Sequence, residues 1–334
     1  MRAMKRVVAC ALAVLFLAGS VSLAEEQYIR VGSFNIANLG SSQTGGYERS
    51  LVSLVNIIRQ MDADVLALQE VEPTDFGSGQ VERLVKLLNK AARYDAKPLY
   101  DYVIADEHTG DETTAFLWRD PVSLESEVVM IEHTVDPDGD GLPAFQRVPH
   151  YAFFNAHNYD FYLVNCHLYT KIEGLSSEGR ADEFVAIVAW LKQLTSEDEK
   201  DAIVVGDFNR FLGGKSAWKK LMVQQHAQWF RFPLLEAIKD AKPGFDPATN
   251  EAPSDDCSTT TAAKRSIYDQ ILLSKGSEYE FTATPKLDKD VGIVAFDRED
   301  QFKWVTATWT DATRMLSDHR PIWIRLRVGQ TDDD

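Results

Sequence analysis

Residues 317–321 read Ser-Asp-His-Arg-Pro (SDHRP) and lead directly into an apolar run at 322–324. A carboxylate and an imidazole therefore lie side by side at the start of a predicted strand. By themselves, Asp318 and His319 favour a solvated polar turn. Pro321 would end that turn, because its ring restricts the backbone, and the strand that follows would hold both side chains at a sheet edge. The rest of the chain decides between a turn and a functional site.

Strands are predicted along the whole chain by runs rich in β-branched and aromatic residues, bounded by turn formers. They are YIRVGSFNI (28–36), DVLALQE (64–70), TAFLWR (114–119), VPHYAFFNA (148–156), DFYLVNC (160–166), AIVVGDF (202–208), IYDQILLS (267–274), FKWVTATW (302–309) and IWIRLRV (322–328). Apolar residues with helical spacing occur within 51–58, 81–88 and 184–191. This pattern predicts two packed sheets flanked by helices, in one α/β or α+β domain.

The first 24 residues predict a cleaved export signal. Arg2, Lys5 and Arg6 precede an apolar stretch too short to span a bilayer comfortably, and Ser22-Leu23-Ala24 offers a small-residue cleavage site. An uncleaved membrane anchor is the alternative. We therefore expect a secreted or periplasmic protein whose mature chain, residues 25–334, forms one domain.

The net charge of the chain limits which classes of binding partner are plausible. It is −16 for the whole chain, and removing the three basic residues of the signal lowers it to −19. This argues against a protein held on nucleic acid mainly by a basic surface, because such binding depends on neutralising phosphates. It does not exclude an enzyme with a local cationic cleft and bound cations.

Two cysteines remain after removal of the signal. Cys166 and Cys257 could pair after export, and a buried free thiol at Cys166 is the alternative.

Polar residues occur where most of the predicted strands end or begin. They are Asn35, Glu70, His167, Asp207, Asn209, Asp269, Asp318 and His319. In layered sheet folds, ligand-binding groups collect at one edge, on loops held by rigid strands. If these strand ends share an edge, they form a pocket of carboxylates, amides and two imidazoles.

Such a pocket suits metal-assisted hydrolysis of a phosphoester. Glu70 and Asp318 would offer hard oxygen ligands to Mg²⁺ or Mn²⁺, and Asn35 would add an uncharged oxygen. The metal would polarise a phosphoryl oxygen and offset charge in the transition state. A carboxylate behind a histidine fixes its tautomer and raises its basicity. For any one strand end a capped turn is the simpler explanation, but the set as a whole favours a site.

The motifs around these residues resemble those of the endonuclease/exonuclease/phosphatase superfamily. They are NxxN at 35–38, LQEVE at 68–72, NCHL at 165–168, GDFN at 206–209, YDQILLS at 268–274 and SDHRP at 317–321, in the family's order. The resemblance implies a four-layer α/β sandwich with two central, mainly antiparallel sheets flanked by helices. It also implies a metal-dependent phosphohydrolase.

Within that superfamily the sequence is most similar to secreted deoxyribonucleases of the pancreatic type. His167 in NCHL supplies a second histidine, and Glu112, ahead of FLWR, lies where those enzymes place its carboxylate partner. Arg147 matches their phosphate-binding arginine. Residues 25–334 would then be the catalytic domain.

The resemblance implies two histidine–carboxylate pairs. His319, backed by Asp269, would activate the attacking water. His167, backed by Glu112, would act as general acid or bind the scissile phosphate. Which histidine is the acid and which the base stays open.

The remaining residues would bind water, phosphate and metal. Asp207 and Asn209 would position the water and stabilise the transition state, and Arg147 would bind phosphate. The metal would be served by Asn35, Glu70 and Asp318.

A second metal signal lies in DPDGDG at 136–141. Asp136, Asp138 and Asp140 follow the opening of a calcium loop. Position twelve of that frame is Arg147, where a full EF-hand has a bidentate glutamate. A structural Ca²⁺ site and a plain acidic turn both stay open.

The sequence therefore predicts a secreted, metal-dependent phosphodiesterase acting as an endonuclease on DNA or RNA, a monomer with no obligate protein partner. A sphingomyelinase-like phospholipase C with a membrane lipid as substrate is the alternative, and it depends on the aromatic segment AQWFRF (227–232) facing a bilayer instead of the core. A non-catalytic binding module on the same scaffold is a third hypothesis. Such modules usually lack the acid–base residues found here.

Overall fold

The computed structural model describes residues 26–40, 50–108, 110–131, 145–168, 179–194, 201–209, 230–241, 267–298 and 315–329. Several predicted features lie outside these ranges. They are the export signal at 1–24, the acidic segment with Asp136, Asp138 and Asp140, Cys257, and the strand predicted at 302–309.

The strands are β1 (Gln27–Leu39), β2 (Val65–Val71), β3 (Asp101–Ile104), β4 (Thr113–Trp118), β5 (Val122–Leu124), β6 (Val129–Met130), β7 (His150–Ala156), β8 (Tyr159–His167), β9 (Ala202–Asp207), β10 (Phe230–Arg231), β11 (Asp269–Ser274), β12 (Val291–Ile293) and β13 (Ile322–Val328). The helices are α1 (Leu51–Met61), α2 (Asp75–Tyr94), α3 (Gly179–Leu194) and α4 (Pro233–Ala241), with 3-10 turns at Gly276–Glu278 and Phe296–Arg298. No helix among the described residues is long and apolar enough to cross a membrane.

The strands form two sheets of similar design. The first sheet has the order β12-β13-β1-β2-β4-β3, and the second has the order β10-β11-β9-β8-β7-β5, with β6 also pairing with β7. Each sheet has one parallel pair near its centre, β1 with β2 and β8 with β9. The other pairs are antiparallel. The prediction of two mainly antiparallel sheets is confirmed.

Alternation along the strands produces the layers. Residues such as Val31 of β1 and Val65 of β2 face the second sheet and pack with Leu163 and Val205 in the central core. The opposite face of the first sheet packs against α1 and α2. The outer face of the second sheet packs against α3. The result is the predicted four-layer sandwich.

The topology brings the polar strand ends to one edge. Parallel neighbours end at the same edge, and an antiparallel neighbour begins there. Thus Asp269, which opens β11, pairs with Asp207, which ends β9. Likewise Ile322, which opens β13, pairs with Ser33 of β1, two residues before Asn35. We call this the site edge.

The helices have the apolar spacing expected from the sequence. In α1 the buried residues include Leu54, Ile58 and Met61, which lie on one face. Thr74 caps the N-terminus of α2, where its hydroxyl oxygen accepts a hydrogen bond from the Gly77 amide at 3.1 Å.

The aromatic segment AQWFRF is described from residue 230 onward, and there it packs inward. Phe230 in β10 is buried, and Phe232 packs against the same α3-facing core. The described part of the segment therefore packs in the core.

Cys166 is a buried free thiol whose sulfhydryl donates to the Val205 carbonyl at 3.4 Å. Burial raises the pKa of that thiol.

Candidate active site

The predicted site residues converge at the site edge in two groups of adjacent ligand atoms. One group is Glu70, Glu112 and His167, and the other is Asp207, Asp269 and His319. Glu112 reaches the edge because it immediately precedes β4, which runs antiparallel to β2. Residues far apart in sequence are thus neighbours in the fold.

The SDHRP turn holds His319 in a single orientation. Its Nδ1 donates to Asp269 Oδ2 at 2.8 Å, which leaves Nε2 facing the site, 3.4 Å from Asp207 Oδ2. Ser317 anchors the turn: its Oγ accepts from the His319 amide at 2.9 Å and donates to the Asn35 carbonyl at 2.7 Å. Burial alone would lower the pKa of His319, but the carboxylates of Asp269 and Asp207 outweigh burial and raise it well above the usual value.

His167 forms the second pair. Its Nδ1 lies 2.6 Å from Glu112 Oε1, and its Nε2 lies 3.4 Å from Asp207 Oδ2. Burial lowers the pKa of His167, although Asp207 and Glu70 work in the opposite direction. Burial also raises the pKa of Glu112 to about 7, against the effect of the nearby Arg147 guanidinium. Each imidazole therefore has a carboxylate behind it and an Nε2 directed at the same carboxylate oxygen.

Arg147 lies against the His167–Glu112 pair. Its Nε is 3.2 Å from Glu112 Oε1, and its Nη1 is 2.9 Å from His167 Nε2. It precedes β7, which runs antiparallel to β8, and so it reaches the site edge beside the end of β8. A guanidinium at this place is a suitable group for a phosphate oxygen.

The GDFN turn depends on a glycine and an unusual backbone. Gly206 has φ 142°, and a Cβ there would lie 1.9 Å from the Cys166 carbonyl oxygen. Asn209 has φ 49°. The Asn209 side-chain amide donates to His167 Nε2 at 2.8 Å, and its backbone amide donates to Asp207 Oδ1 at 2.7 Å. The turn thereby ties Asp207 and His167 together.

Asn35 links carboxylates from both sheets. Its Nδ2 donates to Glu70 Oε1 at 2.9 Å and to Asp207 Oδ2 at 3.1 Å. Its Oδ1, which we expected to serve a metal, accepts from the Ala37 amide at 3.0 Å. In this conformation Asn35 is placed as a hydrogen-bonding link, with its oxygen turned toward the backbone.

Glu70 reaches the site through a β-bulge. Leu68 faces the α1–α2 layer, so regular alternation would put Glu70 on the same side. The pairing of β2 with β4 shifts register after Leu68, and Glu70 has φ 57°. The bulge redirects its carboxylate toward Asn35. Sequence periodicity carries no signal for this turn.

Asp318 is placed differently from the other predicted metal ligands. It is half-buried, and among the described residues it belongs to neither group of adjacent ligand atoms. Its charge helps to raise the pKa of His319. The structure thus brings Glu70 and Asn35 into contact and leaves Asp318 beside His319.

The donor set fits a divalent cation. Burial raises the pKa of Glu70 and of Asp207, because negative charge is costly away from water. Hard carboxylate oxygens at such a place are the ligands that Mg²⁺ and Mn²⁺ prefer. A bound cation would offset the negative charge of the site carboxylates, which the single guanidinium of Arg147 does not balance.

Sequence reasoning missed the polar residues beneath the site. Gln69 and Asn165 are fully buried between the sheets, and Gln69 Nε2 donates to Asn165 Oδ1 at 2.7 Å. Both stand at inward positions of otherwise apolar strands. A polar residue at such a position is the signal that could have identified them.

The fold is similar to several solved structures. Truncated TDP2 from Caenorhabditis elegans aligns with a TM-score of 0.53 and 16% identity, over 90% of this chain and 98% of that chain. An endonuclease/exonuclease/phosphatase family protein from Bacteroides thetaiotaomicron aligns with a TM-score of 0.53 and 16% identity, over 91% and 96%. The human Nocturnin catalytic domain, solved with a bound sulfate anion, aligns with a TM-score of 0.53 and 15% identity, over 91% and 98%. At such low identities these likenesses show the fold.

No curated protein sequence matches this chain. The family comparison is decisive, because residues 32–319 match one family over most of the sequence. That range contains the SDH motif, the GDFN turn and both histidine–carboxylate pairs. The chain therefore belongs to the Endonuclease/Exonuclease/phosphatase family.

Proposed function

We propose that the protein is a divalent-metal-dependent phosphodiesterase that acts on nucleic acid, as an endonuclease on DNA or RNA. One observation carries the proposal. The Nε2 atoms of His167 and His319 both lie 3.4 Å from Asp207 Oδ2, and each imidazole has a carboxylate at its Nδ1. Two oriented imidazoles at one point can serve the two oxygens that exchange protons in hydrolysis, the attacking water that loses a proton and the departing ester oxygen that gains one.

The chain's own groups divide the work of hydrolysis. One imidazole, either His319 oriented by Asp269 or His167 oriented by Glu112, takes the proton of the attacking water at Nε2. The other protonates the departing oxygen or binds the scissile phosphate. Of the phosphodiester's two ester bonds one is broken, which gives a phosphomonoester and a free hydroxyl.

Charge is managed by neighbouring residues. Asp207 and Asn209 position the water, and Arg147 neutralises a phosphate oxygen. Glu70 would hold Mg²⁺ or Mn²⁺, and shifts of the Asp318 and Asn35 side chains would add their oxygens. When bound, that cation supplies positive charge that polarises the phosphoryl oxygen and stabilises the transition state.

A nucleic acid substrate is compatible with a chain of net charge −16, provided that contacts concentrate at the site. The sphingomyelinase alternative loses support, because it relied on the aromatic segment whose Phe230 and Phe232 pack against the core. Secretion remains a separate proposal that rests on residues 1–24.

The test is a side-by-side assay with Mg²⁺ or Mn²⁺ on plasmid DNA, RNA, sphingomyelin vesicles and bis-p-nitrophenyl phosphate. We expect nicking of plasmid DNA or cleavage of RNA that EDTA abolishes. Release of phosphocholine with intact nucleic acid would instead favour the phospholipase. Absence of hydrolysis in every arm would contradict the proposal.

A further inference from the structure

The side chains between the two sheets change character toward the site edge. On the face of β2 that is turned to the other sheet, the residue after Ala67 of the apolar core is Gln69. On the corresponding face of β8, Leu163 is followed by Asn165 and then by His167. Gln69 and Asn165 are fully buried. A layer of neutral amides therefore separates the apolar core from the ionisable residues of the site.

The ladder between β2 and β4 is broken beside this layer. Leu68 pairs with Ala115, and the next pair is Val71 with Thr113, so β2 carries one extra residue. Glu70 lies in this bulge with φ 57°. Residues with a Cβ seldom adopt that conformation, so the surrounding structure has to hold it.

Asn165 reaches across from the second sheet to this break. Its Nδ2 donates to the Leu68 carbonyl at 3.0 Å and to the Ala115 carbonyl at 3.2 Å. These are the two residues of the last regular pair before the bulge. One carboxamide thus satisfies a backbone oxygen on each strand where the ladder stops.

Gln69 completes the link from within β2, next to Glu70. Its Nε2 donates to Asn165 Oδ1 at 2.7 Å and to Ser33 Oγ on β1 at 3.1 Å. Its side chain is therefore held from both sheets. The residue that follows Gln69 directly is Glu70, the one with the positive φ.

We propose that Asn165 and Gln69 are positioning residues that hold the β2 bulge and so aim the Glu70 carboxylate into the site. The inference rests on the proposed function only in the test that measures kcat. The structural test of Glu70 does not require the protein to be a phosphodiesterase. Neither side chain needs to touch substrate or metal. Their effect is transmitted through the backbone of residues 68–70.

The first test is Asn165→Leu, which keeps the size of the side chain and removes its hydrogen bonds. The matched control is Tyr159→Phe, which removes a buried hydrogen bond to Ser277 Oγ at the opposite end of the same strand. We expect kcat of Asn165→Leu to fall at least about tenfold, with KM changed less than about threefold. Tyr159→Phe should stay within about twofold of the wild type, the scale of a substitution away from the site.

The second readout does not depend on activity. Crystal structures of the wild type and of Asn165→Leu should differ at Glu70, with φ leaving the positive region or the contact with Asn35 lost. A Glu70 that keeps both in the variant would overturn the inference, even if the wild type hydrolyses no phosphodiester. Equal kcat values for Asn165→Leu and Tyr159→Phe would overturn it as well.

If Asn165→Leu fails to fold, Asn165→Thr replaces it, because threonine favours strands and keeps one donor. Its kcat should lie between those of the wild type and a Glu70→Gln variant. Wild-type kcat in Asn165→Thr, with Glu70 still at positive φ, would again count against the inference.

Discussion

The proposed chemistry depends on two residues, His167 and His319. Each is buried, and each has a carboxylate within 2.8 Å of its Nδ1. Their pKa values shift in opposite directions, since burial dominates at His167 and neighbouring carboxylates dominate at His319. Such a difference lets one site hold a proton donor and a proton acceptor at the same pH.

Substitution of either histidine should therefore remove a proton-transfer step. We expect His319→Ala and His167→Ala each to lower kcat by roughly 10²–10⁴-fold, the range for a lost general acid or base. His108→Ala, an exposed histidine outside the two ligand groups, is the control and should leave kcat unchanged. Full turnover by His319→Ala would refute the mechanism.

His150 offers a prediction about stability instead of activity. Its Nε2 donates to the Glu107 carbonyl at 2.8 Å, and its Nδ1 accepts from Thr114 Oγ1 at 3.0 Å, so the neutral ring is fully satisfied. Burial lowers its pKa below the usual 6.5. The unfolded chain then takes up a proton more readily than the folded chain as the pH falls through that value.

The contribution of His150 to stability is therefore present above pH 6.5 and lost as the pH falls below it. Denaturant unfolding between pH 7.5 and about pH 5 should show a fall in the free energy of unfolding that is shallower in His150→Gln. Parallel pH profiles for the two proteins would show that His150 does not contribute.

At the level of elements, long strands could be predicted and short ones could not. AIVVGDF has enough apolar residues to indicate a strand and ends in a polar cluster, and it forms β9. β5 and β10 have only three and two residues, too few to show alternation. The bulge at Glu70 could not be predicted either, because a carboxamide from another sheet supports it.

The GDFN turn also makes an element-level prediction. Gly206→Ala would place a Cβ 1.9 Å from the Cys166 carbonyl oxygen at φ 142°, so β9 could not stay in register with β8. We expect a loss of about 3 kcal/mol or more in the free energy of unfolding, measured by urea titration.

Gly79→Ala is the matched control for that substitution. Gly79 lies in α2, and apart from its own stretch of helix backbone no described atom is within 4 Å of an added Cβ. Alanine there should stabilise the protein by about 0.5–1 kcal/mol, because it restricts the unfolded chain. Equal effects of the two substitutions would contradict the close-approach argument.

At the scale of the whole molecule, the site is a concentration of buried negative charge. Binding of a divalent cation to the folded state should raise the free energy of unfolding, by about 2.7 kcal/mol at a hundredfold excess over the dissociation constant. Thermal unfolding with Mg²⁺, Mn²⁺ or EDTA measures this shift.

Glu70→Gln should weaken the shift, because it removes a charged ligand. Glu82→Gln, a change on the exposed face of α2, should keep it. A thermal midpoint that is the same with EDTA and with either metal would argue against a cation at this site. An equal response from both variants would place the cation elsewhere.

The site pairs are each divided between the two sheets. His319 precedes β13 of the first sheet while its partner Asp269 belongs to β11 of the second, and His167 and Glu112 are divided in the reverse sense. In addition, β13 comes late in the chain yet lies beside β1. The first sheet is therefore complete, and the His319–Asp269 pair in place, only when synthesis has passed the last strand, so a nascent chain lacks one of its two histidine–carboxylate pairs until translation of the domain is almost finished.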